Sequence, residues 1–364
     1  MKRPKHYIIM LFCSLLFISC AKQLSHEKAI VGTTELIPNY LMHMLVVGDV
    51  WSTNSAYANK YSKFVRTDAI QYIHNNRQLI AWGNGTGGPL ASPLFFIPSA
   101  LGLNNESELK AYFSDVSSGF NDGFRTFKRV YSKRLPGKDL WWTSELSGKN
   151  RRTYKKTFDE LATVFIENFN SYKENVWPIE KRKLEKTSKK LTAHFKGRKS
   201  IEQWEETVRL SFPGDTFFIV LTSANASPAP SANDLSRTRY NFYYSPQGFT
   251  ALTRFINHEI CTNLLYDTVR KLYGDRDINR ALHKANLGQN VIWQAFEALA
   301  EFYNKRNRTN MGKDAWTGTS FSGDNLNFEP FYKIYNTELK QDPSQSAETL
   351  MRKGVMGYIK THRN

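Results

Sequence analysis

The sequence predicts an α+β fold that is predominantly helical, with a short β-sheet packed against two helices of the second half. Apolar residues recur three and four positions apart through most of the first 205 residues, a pattern typical of amphipathic helices. Two short runs rich in β-branched and aromatic residues follow, and each predicts a strand. We therefore divide the chain into a mostly helical region, 32–205, and a region with the sheet and its helices, 206–364.

The first region alternates helical segments with short breaks. Helical spacing of apolar residues predicts helices within 33–47, 55–76, 106–131 and 153–174. Between the second and third of these lies the Gly- and Pro-rich segment 83–98 (GNGTGGPLASPLFFIP), which predicts an ordered loop.

The second region begins with the two predicted strands. Residues 215–224 (DTFFIVLTSA) precede a loop rich in Pro, Ser and Ala, and 240–245 (YNFYYS) end at a proline. The segments 248–273 and 286–303 then predict two long helices, and the remaining tail predicts looser helices.

The composition excludes several classes of protein. The 364 residues are 41% hydrophobic and 23% charged, values that exclude a disordered chain, a collagen-like repeat and a multi-span membrane protein. The three cysteines, at positions 13, 20 and 261, exclude a disulfide scaffold. We expect Cys261 to be a buried, unreactive thiol, because a free cysteine usually packs as a small apolar residue.

The amino-terminal segment has the pattern of an export signal. A basic start at 1–5 is followed by an apolar run at 7–18, which is too short for the roughly 20 residues that a membrane-spanning helix needs. The run ends at Ser19-Cys20 and resembles a bacterial lipoprotein signal, although Phe17 stands where leucine is usual. The resemblance implies a signal peptide at 1–19, acylation of Cys20 and a tether at 20–31. The alternative is an ordinary signal peptide or a short anchor.

Export restricts the partners that the net positive charge of this protein can bind. Loss of the signal removes three basic residues and lowers the formal charge from +17 to +14. We expect a lipid-anchored protein of the cell envelope, in the outer membrane of a Gram-negative bacterium, that contacts the membrane through its anchor. Because such a protein meets no chromosomal DNA, we expect no nucleic-acid partner and favour anionic lipid or acidic glycan for the basic surface.

The positive charge is concentrated in residues 149–199, which hold 15 Lys and Arg against 6 Asp and Glu. Seven apolar residues in the first half of this segment share one helical face. They are Phe158, Leu161, Ala162, Phe165, Ile166, Phe169 and Tyr172. We interpret the lysines as the solvated face of packed helices, and the alternative is a docking surface for anionic lipid or glycan.

One motif suggests chemistry. His258 and Glu259 stand in the middle of the helix predicted for 248–273. In zinc peptidases with an HExxH motif, histidines at i and i+4 share one helical face and bind one zinc ion, and the glutamate beside the first acts as a base on the zinc-bound water. A third ligand, often glutamate, comes from a following helix, and here that helix carries Glu297 and Glu301 one turn apart.

The order of strand, loop, strand, His-Glu helix and Glu-bearing helix resembles the gluzincin class of zinc metallopeptidases. It is most similar to exported bacterial lipoproteins of unknown function that carry such a peptidase-like domain. Residues 293–302 (WQAFEALAEF) are similar to the segment that supplies the glutamate ligand in that class. The resemblance covers about residues 215–305. It implies that Glu259 is the catalytic base and that His258 and Glu297 are metal ligands.

The motif departs from its pattern at one position. Thr262, not histidine, stands four residues after His258, and a neutral hydroxyl is a poor zinc ligand beside an imidazole. His283 is a candidate substitute, although no helical geometry places it near His258. A second His-Glu pair, His26-Glu27 in the tether, indicates that such a pair alone is not specific.

We therefore expect a lipid-anchored envelope protein with a degenerate metallopeptidase-like domain that holds no cofactor and binds or scaffolds a peptide, protein or acidic glycan. One alternative is an active zinc-dependent peptidase with an atypical ligand set. Another is a helical envelope lipoprotein unrelated to peptidases. In that alternative His258 is a core histidine and Glu297 and Glu301 are an exposed pair.

Overall fold

A computed structural model describes residues 27–50, 54–83, 86–135, 142–225, 239–243, 248–307, 312 and 328–362. Cys20 and the signal peptide predicted for 1–19 lie outside these residues. The fold is α+β and predominantly helical, as the sequence predicts, with a three-stranded parallel sheet in which Thr216–Thr222 lies between Ala29–Thr33 and Arg239–Tyr243. None of the described helices combines the length and apolar character needed to cross a membrane.

The amino-terminal helices enclose one hydrophobic core that is rich in aromatic side chains. The apolar face predicted for the basic segment points into this core, and six of its seven residues are buried. The elements up to this point are β1 (Ala29–Thr33), α1 (Leu36–Val47), α2 (Ser55–Tyr61), α3 (Thr67–Asn75), α4 (Arg77–Ile80), the two-residue strands β2 (Trp82–Gly83) and β3 (Thr86–Gly87), α5 (Ile97–Leu101), α6 (Glu106–Asp122), α7 (Arg125–Tyr131), α8 (Trp142–Leu146) and α9 (Arg151–Asn175).

The second part of the chain encloses a separate core around the sheet. Both predicted strands and both predicted long helices are present, with bounds shifted by a few residues. The elements are α10 (Trp177–Phe195), α11 (Ser200–Val208), β4 (Thr216–Thr222), β5 (Arg239–Tyr243), α12 (Phe249–Tyr273), α13 (Arg276–Lys284), α14 (Asn290–Arg306), α15 (Glu329–Gln341) and α16 (Ala347–Thr361).

The loop predicted for 83–98 is wrong over its second half. Ser92–Phe96 form a π-helical turn that leads directly into α5. Pro93 lies in the first turn of this helical run, where the missing N–H removes no helical hydrogen bond. The side chains from Leu90 to Leu101 are buried, so burial of an apolar segment outweighs the local preference of Gly and Pro for loops.

The tether predicted for 20–31 ends earlier than expected. Residues 29–31 belong to β1, which pairs in parallel with β4 so that Ala29 lies opposite Thr216 and Thr33 opposite Val220. Ile30 is buried in the core of the second part. Because the partner strand is so distant in sequence and the run of β-branched residues is short and interrupted by Gly32, the sequence did not predict this strand.

The outer edge of β1 is covered by α10. The Thr192 hydroxyl accepts from the Gly32 backbone N–H at 3.0 Å, and the Ser188 hydroxyl donates to the Gly32 carbonyl at 2.6 Å. Gly32 lies so close to the helix that a Cβ atom there would come within 2.9 Å of the Ser188 carbonyl oxygen. Side chains of α10 thus satisfy backbone groups that a further strand would otherwise pair with.

Two helices that precede the boundary predicted at 205/206, α10 and α11, pack with the sheet. Leu184, Leu191 and Phe195 of α10 and Trp204 of α11 belong to the second core. Phe217, Ile219 and Leu221 on one face of β4 lie in the same core as Ile256 and Ile260 of α12 and Leu299 of α14. The division between the two cores therefore lies at the start of α10.

A buried carboxylate stabilises the junction between the two cores. Glu180, in the first turn of α10, accepts from the Tyr61 hydroxyl and from the Lys183 ammonium at 2.8 Å. Its residue is only 4% exposed. Burial raises the pKa of Glu180, but the hydrogen bonds from Lys183 and Tyr61 outweigh burial and hold the pKa below its ordinary value.

We expect Glu180→Gln to lower the free energy of unfolding by about 1.5–3 kcal/mol at pH 7, because a buried hydrogen bond to a charged group is lost. The matched control is Glu185→Gln, which removes a half-exposed carboxylate 3.6 Å from Lys181 and should change stability by less than about 0.5 kcal/mol. The pKa of Glu180 is lower in the folded protein than in the unfolded chain. The difference in free energy of unfolding between wild type and Glu180→Gln should therefore be largest above the unfolded pKa and decrease as the pH falls through the folded pKa. Urea denaturation at pH 7 and at successively lower pH measures this, and equal stabilities of the two variants at pH 7 would contradict it.

Candidate functional site

The candidate site lies where α12 packs against α14. Among the small residues of α14, Ala300 is fully buried and lies at this contact. Cys261 is fully buried as expected, with its sulfur 4.0 Å from the Ala300 carbonyl oxygen. The contact holds a polar seam, which we define as His258, Glu259, Thr262, Glu297, Glu301 and Asn304.

His258 lies at the centre of the polar seam and contacts α14 through both ring nitrogens. Nε2 lies 3.5 Å from Glu297 Oε2, within ion-pair range but long for a hydrogen bond. Nδ1 lies 3.2 Å from the Asn304 amide nitrogen, which also donates to the Ala300 carbonyl at 3.0 Å. Because an amide nitrogen only donates, this assignment makes Nδ1 the acceptor and leaves the ring proton of a neutral His258 on Nε2, facing Glu297.

The neighbouring carboxylates alter the protonation of His258. Burial alone lowers the pKa of this imidazole, since a charged ring loses its hydration. The interaction with Glu297 and the negative charges of Glu259 and Glu301 outweigh burial and raise the pKa above its ordinary value. The three buried carboxylates thus favour the charged form of His258, in which both ring nitrogens donate and Asn304 would present its amide oxygen to Nδ1.

Glu259 and Thr262 form a pair within α12. The Thr262 hydroxyl lies 2.7 Å from Glu259 Oε2 and 3.1 Å from the Glu259 carbonyl oxygen. Both residues are buried, at 8% and 3% exposure. The residue that stands in place of the second histidine therefore donates to the glutamate that the resemblance assigns as the base.

Glu297 and Glu301 are not the exposed pair that one alternative predicted, because they are only 7% and 4% exposed. Glu301 Oε1 lies 3.3 Å from Lys305 Nζ, and this ammonium lies 4.1 Å from the centre of the Tyr332 ring. Burial and the charge of Glu301, together with a hydrogen bond to it, raise the pKa of Tyr332.

Sequence reasoning missed Asn304, Lys305 and Tyr332. A signal for Asn304 was present, since Glu297, Glu301 and Asn304 are spaced four and three residues apart and so share one face of α14. Tyr332 lies on α15, beyond a stretch of chain with no recognisable pattern, and carried no such signal.

The polar seam fits a metal only in part. Two ligands of one tetrahedral zinc ion lie about 3.4 Å apart, so His258 and Glu297 have a suitable separation. The third position is held by a threonine hydroxyl that already donates to Glu259. Among the residues that the structure describes, no three His, Cys, Asp or Glu side chains form a group placed to hold a metal ion. The residues present therefore do not supply a complete zinc site.

His283 and His26 do not supply the missing zinc ligand. His283 is exposed in the last turn of α13, and in the described part of the chain it does not join His258 and Glu297 in a metal-binding group. His26 lies outside the described residues, and the adjacent Glu27 is exposed next to β1. The only His-Glu pair that the described residues place in a buried polar cluster is therefore that of α12.

The geometry of the polar seam stands without support from known proteins. No protein-family model, curated protein or solved structure matches this chain.

Proposed function

We propose that this protein is a lipid-anchored component of the bacterial cell envelope whose gluzincin-like domain binds or scaffolds and does not catalyse. One observation carries the proposal: the Thr262 hydroxyl donates to the Glu259 carboxylate at 2.7 Å. In the HExxH pattern this glutamate acts on a zinc-bound water, and a histidine at the threonine position binds the zinc. Here the two positions bond to each other and leave a polar seam with two of the three expected ligands.

The similarity to zinc peptidases is supported by the close approach of two predicted ligands. His258 and Glu297 come from different helices, as the resemblance implies, and meet at 3.5 Å in a buried environment. Their separation, which suits two zinc ligands, also favours a second candidate function, an active zinc peptidase with an atypical ligand set. The same convergence counts against a helical lipoprotein in which the His-Glu pair has no significance.

The proposed partners follow from location and surface. The anchor at Cys20 holds the protein at a membrane, and the domain binds a peptide, protein or acidic glycan of the envelope. Nucleic acid is not a proposed partner, because an exported protein does not encounter it.

Metal content distinguishes the two candidate functions. We expect the full-length protein, purified in detergent and dialysed against metal-free buffer, to contain well under one zinc per chain and to show no chelator-sensitive peptidase activity. The reason is that a zinc site needs three or four protein ligands, and His258 and Glu297 supply two. Elemental analysis measures the zinc, with a known zinc peptidase carried through the same dialysis as a control.

One equivalent of zinc that survives dialysis and is lost in His258→Ala, together with chelator-sensitive peptidase activity, would instead support the active zinc peptidase. His283→Ala would then be the next variant to assay, because that histidine is the remaining candidate ligand.

A further inference from the structure

The described chain begins at the carboxyl end of α10. The backbone N–H of Lys28 donates to Glu202 on α11 at 2.7 Å, and the Lys28 ammonium binds Glu205 on the same helix. Residues 27–31 line a small cavity together with Thr192 and with residues 195–197, at the end of α10. The segment that leads to the proposed anchor therefore leaves the domain at this end of α10.

The distance from this point to the anchor is short. Cys20 lies eight residues before Lys28, and eight fully extended residues span at most about 28 Å. Once Cys20 is acylated, the carboxyl end of α10 stays within that distance of the lipid. This step rests on the proposed lipid anchor.

The face of α10 that points away from the sheet is strongly basic. Four exposed residues, at successive intervals of four, three and one along the helix, form what we call the basic stripe. They are Arg182, Lys186, Lys189 and Lys190. Three more exposed basic residues follow where the helix ends. These are Lys196, Arg198 and Lys199.

The basic stripe is held in place and is largely free of carboxylates. On the opposite face of α10, Leu184 and Leu191 are fully buried in the core beside the sheet, so the stripe cannot turn inward. Lys181 and Lys183 on its flanks pair with Glu185 and Glu180. Lys186 and Lys189 form no ion pair with any residue in the described part of the chain.

We propose that the basic stripe docks on the anionic phospholipid surface of the membrane that holds the anchor. From Arg182 to the end of α10 the helix extends about 20 Å, which allows several headgroup contacts at once. Each lysine or arginine near an anionic surface strengthens binding roughly five-fold, within a screening length of about 10 Å at 0.1 M salt. The anchor makes this contact intramolecular and so raises its effective concentration. An acidic glycan would suit the charge, but the position of the anchor favours the membrane.

The test uses the chain from Ala21 to Asn364, which lacks the acyl site and keeps every described residue. Its sedimentation is measured with vesicles of 40% phosphatidylglycerol in phosphatidylcholine and with vesicles of phosphatidylcholine alone. The stripe variant is Lys186→Gln/Lys189→Gln/Lys190→Gln. The matched control is Lys128→Gln/Arg129→Gln/Lys133→Gln, which removes the same charge from exposed positions on and just after α7. Equal melting temperatures of the variants establish that both fold.

We expect the wild-type chain to bind the anionic vesicles at low salt and to lose that binding in 0.5 M NaCl. It should not bind vesicles of phosphatidylcholine alone. The stripe variant should bind the anionic vesicles at least ten-fold more weakly, and the control variant less than two-fold more weakly. An equal loss of vesicle affinity in the two variants would show that binding depends on the net charge of the protein and not on the basic stripe. Salt-independent binding, no binding, or displacement of the wild type by equimolar alginate would each overturn the proposal. The vesicle test uses a chain that carries no acyl group. A negative result would therefore not count against the proposed lipid anchor, which is tested separately.

Discussion

The Thr262→His variant is expected to bind Zn²⁺ at least about 100-fold more tightly than the wild-type protein. The substitution returns an imidazole to the face of α12 one turn from His258, and it releases Glu259 from the hydroxyl that now bonds to it. With Glu297 already 3.5 Å from His258 Nε2, the polar seam then offers three protein ligands instead of two. Loss of an outer contact alone changes metal affinity about 10–100-fold, so gain of a direct ligand should exceed that range.

The control for this variant is Thr268→His, which places an imidazole at another buried threonine of the same helix. Competition with a chromophoric chelator measures the affinity of both variants, and adding His258→Ala to Thr262→His should abolish the gain. If Thr262→His binds zinc no better than Thr268→His, then His258, Thr262 and Glu297 do not form a degenerate zincin site. The His-Glu pair of α12 would in that case be a structural feature of the core.

The Cys20→Ser variant should move from the membrane fraction to the soluble fraction and lose its partitioning into a detergent phase. Two or three acyl chains contribute about 0.8 kcal/mol for each buried CH₂ group, so their loss removes nearly all of the membrane affinity. Such a change is far larger than any that the basic stripe produces, because surface charge alone gives weak and salt-sensitive attachment.

The sequence offers a matched control in Cys13→Ser, which alters a cysteine within the predicted signal peptide and should leave partitioning unchanged. Intact mass distinguishes an acylated chain from one that keeps residues 1–19. Unchanged partitioning of a correctly processed Cys20→Ser protein would refute the lipid anchor.

The predictions from the sequence succeeded where the pattern was local and periodic. The helices α9 and α12 and the strands β4 and β5 agree with their predictions to within about two residues, because each contains a continuous apolar pattern. Local pattern failed where distant contacts decide the structure. The strand β1 exists because β4 pairs with it, and the helical segment 92–101 forms because its apolar side chains are buried in spite of two prolines.

For the candidate site, sequence reasoning identified candidate residues on α12 and on α14. It did not show that the two sets lie close together in the structure. The convergence of His258 and Glu297 depended on the resemblance, since nothing local relates the middle of α12 to that of α14. The bond between Thr262 and Glu259 lies within a single turn of α12. It was not predicted, because a threonine at i+3 from a glutamate is compatible with several side-chain rotamers and sequence spacing does not select among them.

The pairing of β1 with β4 also governs how the chain reaches its native state. The strand β1 lies opposite β4, nearly two hundred residues later, in a parallel arrangement that no hairpin can nucleate. Contacts of such high sequence separation form slowly, because the entropy of closing a long loop must be lost before they stabilise the structure. Because synthesis proceeds from the amino terminus, β1 is made first and stays unpaired until β4 follows. We therefore expect the amino-terminal helices, which have their own core, to fold before the sheet closes.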